Sequence, residues 1–493
     1  MSGGADPEAA PAMHWSRFAR NLAVFGIGVA LNAFLRLIVL FVAARILSPH
    51  DYGSLDTLLI IGLICVNIVL LGADSAVQRL VIEDDAADHR RTVYTGSFLV
   101  IAPNALVMLV VVTGLLETGV LASFDVDVGT LILFFLIYGL GTALTAVSTT
   151  LLRGLHMERR FLLTVGSVFA IRLVSVVLPF AGGDSRLSDF LLFVGAGSLA
   201  AGLAAVALNR DFLGLAANWR QVWKRMLVYG APLGLIVIVA GFQPTLERLM
   251  VLHFDFVDML PRYATSAFPA LLLGLMSQVV NSAWAPYALH ANRAGDRVGV
   301  VRTGEFCIAL MALSYLVLLN VSDVVVALAV PTGDPLAHTL FPFIGLVVAM
   351  RFLNLFAGFG LTVRRLSNIR FAVYVTGFAS GALISYLLLP ELGLSAIPVG
   401  FATGGAVAVI LEATLAERRA PQHWPFVSFA LLLALMFLAA AARQSTYGCH
   451  GGASCLPSWL AGIDPAASIA AALWALVLLC RATLTLLRQR RVI

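Results

Sequence analysis

From Leu22 to Leu47 the chain is almost wholly apolar, and runs of about 20 such residues recur to its end. A helix rising 1.5 Å per residue crosses the hydrocarbon core of a bilayer in about 20 residues. Lipid offers no hydrogen bonds to the backbone, so only helices and closed barrels span it. Alternating ten-residue strands are absent from this chain, which leaves helices. Of its 493 residues 60% are hydrophobic and 12% charged, with a mean hydropathy of +0.94. Soluble domains carry about 25% charged residues. The chain therefore reads as an all-α polytopic membrane protein.

Fourteen spans are expected, at 22–47, 54–73, 94–116, 129–151, 161–181, 187–208, 227–252, 263–285, 303–328, 338–360, 370–390, 395–416, 425–443 and 464–486. The basic residues test this count. Of the segments outside spans, alternate ones hold nearly all of the Arg and the lone Lys224, from Arg17 and Arg20 to Arg490 and Arg491. The opposite segments hold only Arg45, Arg186, Arg262 and Arg443. Lys and Arg favour the cytoplasmic side, so both termini are expected in the cytoplasm. The first apolar run is too long for the core of a cleavable signal and reads as a retained span.

Leu22–Gly26 (LAVFG) resembles Met226–Gly230 (MLVYG), a faint internal repeat. It suggests two six-span lobes followed by two extra spans. The expected division is a cytoplasmic N-terminus at 1–21, an N-lobe at 22–208, an interfacial linker at 209–226, a C-lobe at 227–416 and an extra pair with the C-terminus at 417–493. The longest connections, 74–93, 209–226 and 444–463, are too short for a soluble catalytic domain. The linker carries Trp219 and Trp223 beside Lys224 and Arg225, a pattern suited to the headgroup level.

Several charges fall inside the spans. Arg36 lies about 21 Å into the first, at 1.5 Å per residue. Arg172 and Arg351 fall near mid-bilayer in the fifth and tenth spans, and Arg248 toward the outer end of the seventh. Arg481, near the end of the last span, is expected to snorkel to the interface. The acids do not match these depths. Glu305 and Glu412 lie near the cytoplasmic ends, and Asp56 and Glu247 toward the outer ends. A buried cation without a partner is costly, and a guanidinium suits phosphate or carboxylate through its fork of donors. Arg36, Arg248, Arg172 and Arg351 are thus candidates for a hydrated cationic cavity that takes an anionic ligand. The competing reading satisfies each Arg separately, with backbone carbonyls and helix C-termini. Asp56, Glu247 and Asn32 are candidates for a gate, or for coupling to a proton or sodium ion.

No phosphate-binding Walker motif, HExxH or nucleophile elbow is present, so neither ATP use nor these hydrolytic chemistries are expected. The basic residues are dispersed, with no aromatic-interleaved block, which argues against nucleic acid. No cofactor is expected. Cys65, Cys307 and Cys480 read as packing residues. Cys449 and Cys455 share the loop CHGGASC with His450. A disulfide in an oxidising compartment is the favoured reading there, ahead of a metal site with too few ligands.

Four stretches carry a family resemblance: ARILSPHDYG (44–53), LLRGLHMERRF (151–161), VYGAPLGL (228–235) with RYATSAF and AWAP (283–286), and LLLPELGLSAIPVGFATGGA (387–406). They are similar, in order and spacing, to stretches of the Wzx-like polysaccharide flippases of the MOP exporter superfamily. The resemblance implies two six-helix lobes around a central cavity lined by spans 1, 2, 7 and 8. It implies a bacterial inner-membrane protein that moves an undecaprenyl-pyrophosphate-linked oligosaccharide between leaflets by alternating access, without acting as an enzyme. The cargo would serve lipopolysaccharide O-antigen or exopolysaccharide assembly. The implied partners are the lipid-linked oligosaccharide, membrane lipids and other polysaccharide-assembly proteins. Glu247 stands where relatives often show an Asp-Arg pair. Related lipid II flippases use extra spans as a lipid groove. The alternatives are a lipid II flippase, a multidrug or cation antiporter of the same superfamily and, further off, a membrane glycosyltransferase or polymerase.

Overall fold

The computed structural model describes residues 15–47, 49–84, 86–117, 126–178, 186–253, 263, 266–329, 340–448 and 464–491. Among the described residues every regular element is helical. The helices are α1 (Trp15–Ile46), α2 (Pro49–Leu70), α3 (Ala73–Glu83), α4 (Ala87–Glu117), α5 (Val128–Gly154), α6 (Glu158–Val177), α7 (Leu187–Leu208) and α8 (Trp219–His253). They continue with α9 (Phe268–Arg293), α10 (Arg297–Ala329), α11 (Phe341–Ala357), the single turn α12 (Phe359–Val363), α13 (Ser367–Leu392), α14 (Ala396–Arg419), α15 (Phe426–Gly448) and α16 (Asp464–Arg491). Each of the fourteen expected spans overlaps a helix. Among the described residues nine helical segments are long and apolar enough to cross a membrane, one of them, Ser367–Arg419, containing both α13 and α14. Leu22–Asn32 and Phe341–Ala357 are shorter apolar helices. The protein is a multi-pass membrane protein.

The connection expected at 74–93 is largely helical instead. The chain bends by 42° between α2 and α3, through Leu71 at φ 40° and Gly72 at φ 74°. It then buries Ala76, Val77, Leu80, Val81 and Ile82 along α3. These apolar residues recur at helical spacing, and packing against the end of α5 holds them: Val81 fills the space beside Gly154. Gly72 has two reasons to be glycine. Its φ is left-handed, and a Cβ there would lie 1.9 Å from the Gly230 carbonyl oxygen of α8. The 209–226 segment holds a short 3-10 turn at Arg210–Phe212 before α8 begins at Trp219.

The contacts divide the chain into two compact units, Arg20–Phe242 and Gln243–Ile493 with Met1–Ala19. Helix α8 therefore begins in the first and ends in the second. In the first unit α5 packs on α7 at very short range: a Cβ on Gly141 would meet the Ser198 carbonyl oxygen at 2.2 Å. In the second unit α13 packs on α14 the same way, with Gly404 beside the Gly377 carbonyl. Small residues let helix backbones approach where lipid gives no hydrophobic drive for association. An aromatic cluster fills the second unit's interior, with Trp284 4.4 Å from Phe356 and Phe356 4.9 Å from Phe352, centroid to centroid.

Candidate functional site

In the first unit the deep charge is Arg172, on α6. Its Nη2 donates to Thr142 Oγ1 of α5 at 3.2 Å. Its Nε is buried and has no hydrogen-bond partner. Tyr138, one turn before Thr142 on α5, stacks on Phe134 at 5.3 Å and lies over Gly62 of α2. Thus α5 brings both a phenol and a hydroxyl to the guanidinium. No carboxylate among the described residues lies within ion-pair distance of Arg172. Asn32, on α1, is exposed, and its Nδ2 donates to the Gly28 carbonyl at 3.3 Å. The side chains of Arg36, Asp56 and Arg248 lie outside the described residues, as do Cys449 and Cys455.

In the second unit Glu247 is buried on α8. Gln243 Nε2, one turn earlier, donates to its Oε1 at 2.7 Å, and the Tyr263 hydroxyl donates to its Oε2 at 2.6 Å. Gln243 also lines a small cavity with Arg351 and Asn354 of α11 and Tyr374 of α13. Arg351 Nε and Asn354 Oδ1 are buried there without hydrogen-bond partners. Arg351, like Arg172, has no carboxylate within ion-pair distance among the described residues. The sequence thus found two deep guanidiniums without matching acids, while the Gln243–Glu247–Tyr263 group escaped it. Only the i, i+4 spacing of Gln243 and Glu247 was visible in advance.

Arg481 departs from expectation. It does not simply snorkel: its Nη2 bonds Glu305, whose other oxygen takes a 2.5 Å bond from Arg302 Nη1. Glu305 is fully buried, so two cations hold one carboxylate between α10 and α16. Arg370 likewise reaches Glu412 at 3.2 Å, joining α13 to α14. Among the described residues no group of His, Cys, Asp and Glu is arranged to hold a metal ion.

Residues 18–260 match the family model described as polysaccharide biosynthesis protein. The matched part, just under half of the chain, is similar to that family. No curated protein matches the chain significantly. Solved structures supply the fold. A MOP superfamily transporter from Pyrococcus furiosus, described as having a binding pocket of reversed polarity, is 12% identical with a TM-score of 0.66. A MATE protein in a straight conformation is 14% identical with a TM-score of 0.65. An outward-facing multidrug resistance MATE family transporter of the MOP superfamily is 14% identical with a TM-score of 0.63. In each case the alignment covers 82% of this chain and 95% of the other. The chain thus has the fold of MATE-like transporters.

Proposed function

We propose that the protein is a flippase for an anionic lipid-linked oligosaccharide. It moves an undecaprenyl-pyrophosphate-linked repeat unit from the cytoplasmic to the periplasmic leaflet of a bacterial inner membrane by alternating access. Both termini lie in the cytoplasm, and the glycan serves O-antigen or exopolysaccharide assembly. The protein does no covalent chemistry on its cargo. The observation that carries this reading is Arg172, whose buried Nε has no partner and whose charge meets no described carboxylate. A fixed cation in a low-dielectric span creates a potential that favours an anion and opposes a cation. Arg36 and Arg248 serve as the direct contacts for pyrophosphate or acidic sugars, and Arg172 adds to the field behind them. Asp56, Asn32 and Glu247 are assigned to gating or to proton or sodium coupling.

Leaflet labelling tests this in cells that lack the protein. Complete lipid-linked repeat units trapped on the cytoplasmic leaflet are expected. Incomplete units point to an enzyme acting earlier and overturn the reading.

A second reading, a multidrug antiporter, draws on the MATE-like fold and on the buried carboxylate of Glu247. Both Glu247 oxygens already accept hydrogen bonds, and the arginines repel a cationic drug, so we place it second. Normal surface glycan with altered drug sensitivity in the deletion strain would reverse that order.

A further inference from the structure

The cavity at Arg351 is a built site with a narrow capacity. Its volume is about 20 Å³. One water needs about 10–15 Å³ by this kind of measure, so the space suits a single water-sized or halide-sized particle and no sugar or pyrophosphate. Its walls come from α8, α11, α13 and α14, with Phe378 and Gly405 as the apolar part. Asn354, 6% exposed, and Gln243, 5% exposed, bring amides to it.

Among the described charges around it, Arg351 meets no carboxylate within ion-pair distance, and its Nε donor is buried and unmet. Glu247 takes bonds from Gln243 and Tyr263. Glu412 is engaged by Arg370 through Oε1, and its Oε2 is buried without a partner. Arg351 has Tyr374 as a hydrogen-bond partner, but its Nε donor is unmet. A phenol does not neutralise a guanidinium, and a cation this deep needs a counter-charge. A metal ion or ammonium would be repelled by Arg351.

We propose that this cavity is a binding site for one halide-sized monovalent anion, chloride in the cell. The Arg351 Nε–H donates to it directly, and the Tyr374 hydroxyl turns its proton toward it. The Asn354 amide at the cavity wall supplies a further N–H donor to the anion, its O and N ends being interchangeable in shape. Arg351 then serves as a structural anion anchor inside the second unit, separate from the contacts to the transported lipid. This inference stands on the geometry of one unit and does not depend on the flippase reading.

The test is thermal unfolding of the purified full-length protein in lipid nanodiscs, at constant ionic strength. Sodium gluconate, whose anion is too large for the cavity, is replaced stepwise by sodium chloride or bromide. A ligand that binds only the folded state raises the midpoint saturably. The wild type is expected to respond to both halides, Arg351→Gln not at all, and Tyr374→Phe with a half-saturating concentration raised about fivefold, the roughly 1 kcal/mol of one hydrogen bond. An equal halide response in Arg351→Gln, or none in the wild type, overturns the proposal. Should Arg351→Gln fail to fold, bromide-soaked crystals of the wild type decide. An anomalous peak against Arg351 supports the site. A cavity holding only water, or an Arg351 turned onto Glu412 Oε2, overturns it.

Discussion

In the second unit Glu305 has no exposed surface and is held by Arg302 and Arg481, and Asp464, 6% exposed, is held by Arg443. In the first unit the direct ion pairs that join separate elements sit at the margins, while Arg79 and Glu83 pair within α3, and Asp74 and Arg153 interact across α3 and α5 without a direct ion pair. The Asp211 carboxylate that meets Arg160 has a side chain 66% exposed, and the Arg20 side chain beside Glu158 is 63% exposed. Exposed pairs contribute about 0–1 kcal/mol, whereas removing one partner of a buried set costs about 3–5 kcal/mol. The second unit thus uses carboxylates as cross-links between helices. Arg443 and Asp464 join α15 to α16, and Glu305 joins α16 to α10. The two helices that extend past the expected twelve-span core are therefore fastened to the second unit rather than appended to it. The first unit has no such added pair to fasten. Yet each unit keeps one deep arginine, Arg172 or Arg351, outside this pairing. Those two charges are available to something other than a carboxylate of the chain.

The largest effect expected from this contrast is at Glu305. Glu305→Ala leaves two guanidiniums around an empty buried position and should cost about 3–5 kcal/mol, seen as a lower unfolding midpoint and earlier protease cleavage near α16. Asp211→Ala in the first unit should cost no more than about 1 kcal/mol. Equal losses would erase the distinction between the units.

Next comes Arg172→Gln. Lipid transport should fall about 100-fold, equivalent to about 2.8 kcal/mol, with thermal stability unchanged or slightly raised. A matching loss of stability would make Arg172 a structural group like Arg481. The glycine contacts should not distinguish the units. Gly141→Ala and Gly404→Ala each force helices apart and should each cost about 1–3 kcal/mol in a chemical or thermal melt. The smallest effects are single buried hydrogen bonds. Tyr94→Phe loses the 2.8 Å contact with Ser148 in the first unit, and Tyr315→Phe the 2.8 Å bond to the Pro342 carbonyl in the second. Each should cost about 1 kcal/mol, and a much larger loss at either would mark a polar network larger than the pair.

Much of the fold was legible because a bilayer leaves little choice. Each apolar run of sufficient length must close its own backbone hydrogen bonds, so helix positions follow from hydropathy alone. The misreading at 74–93 shows where that logic stops. Asp74, Gln78, Arg79 and Glu83 lower the local hydropathy and suggest a loop, but α3 finds its apolar face against α5 and α8 within the first unit. Arg79 pairs with Glu83 there at 2.7 Å and lies 5.0 Å from the Tyr229 ring. An amphipathic helix of eleven residues is stabilised by its packing partners, which hydropathy does not contain.

Depth was also legible and lateral neighbourhood was not. The rise of 1.5 Å per residue places Arg172 and Arg351 near mid-span from the residue count. Nothing in that count brings Arg481 to Glu305 across 176 residues, or places Arg351 beside Tyr374 and Asn354 around a single-particle cavity. Periodicity and charge report on position along one helix axis. Whether a buried charge is paired depends on which faces of which helices meet, and that is a property of packing in the plane of the membrane. The residues alone thus settle a helical membrane protein with unmatched deep arginines. The folded arrangement distinguishes the cross-linked guanidinium of Arg481 from those of Arg172 and Arg351.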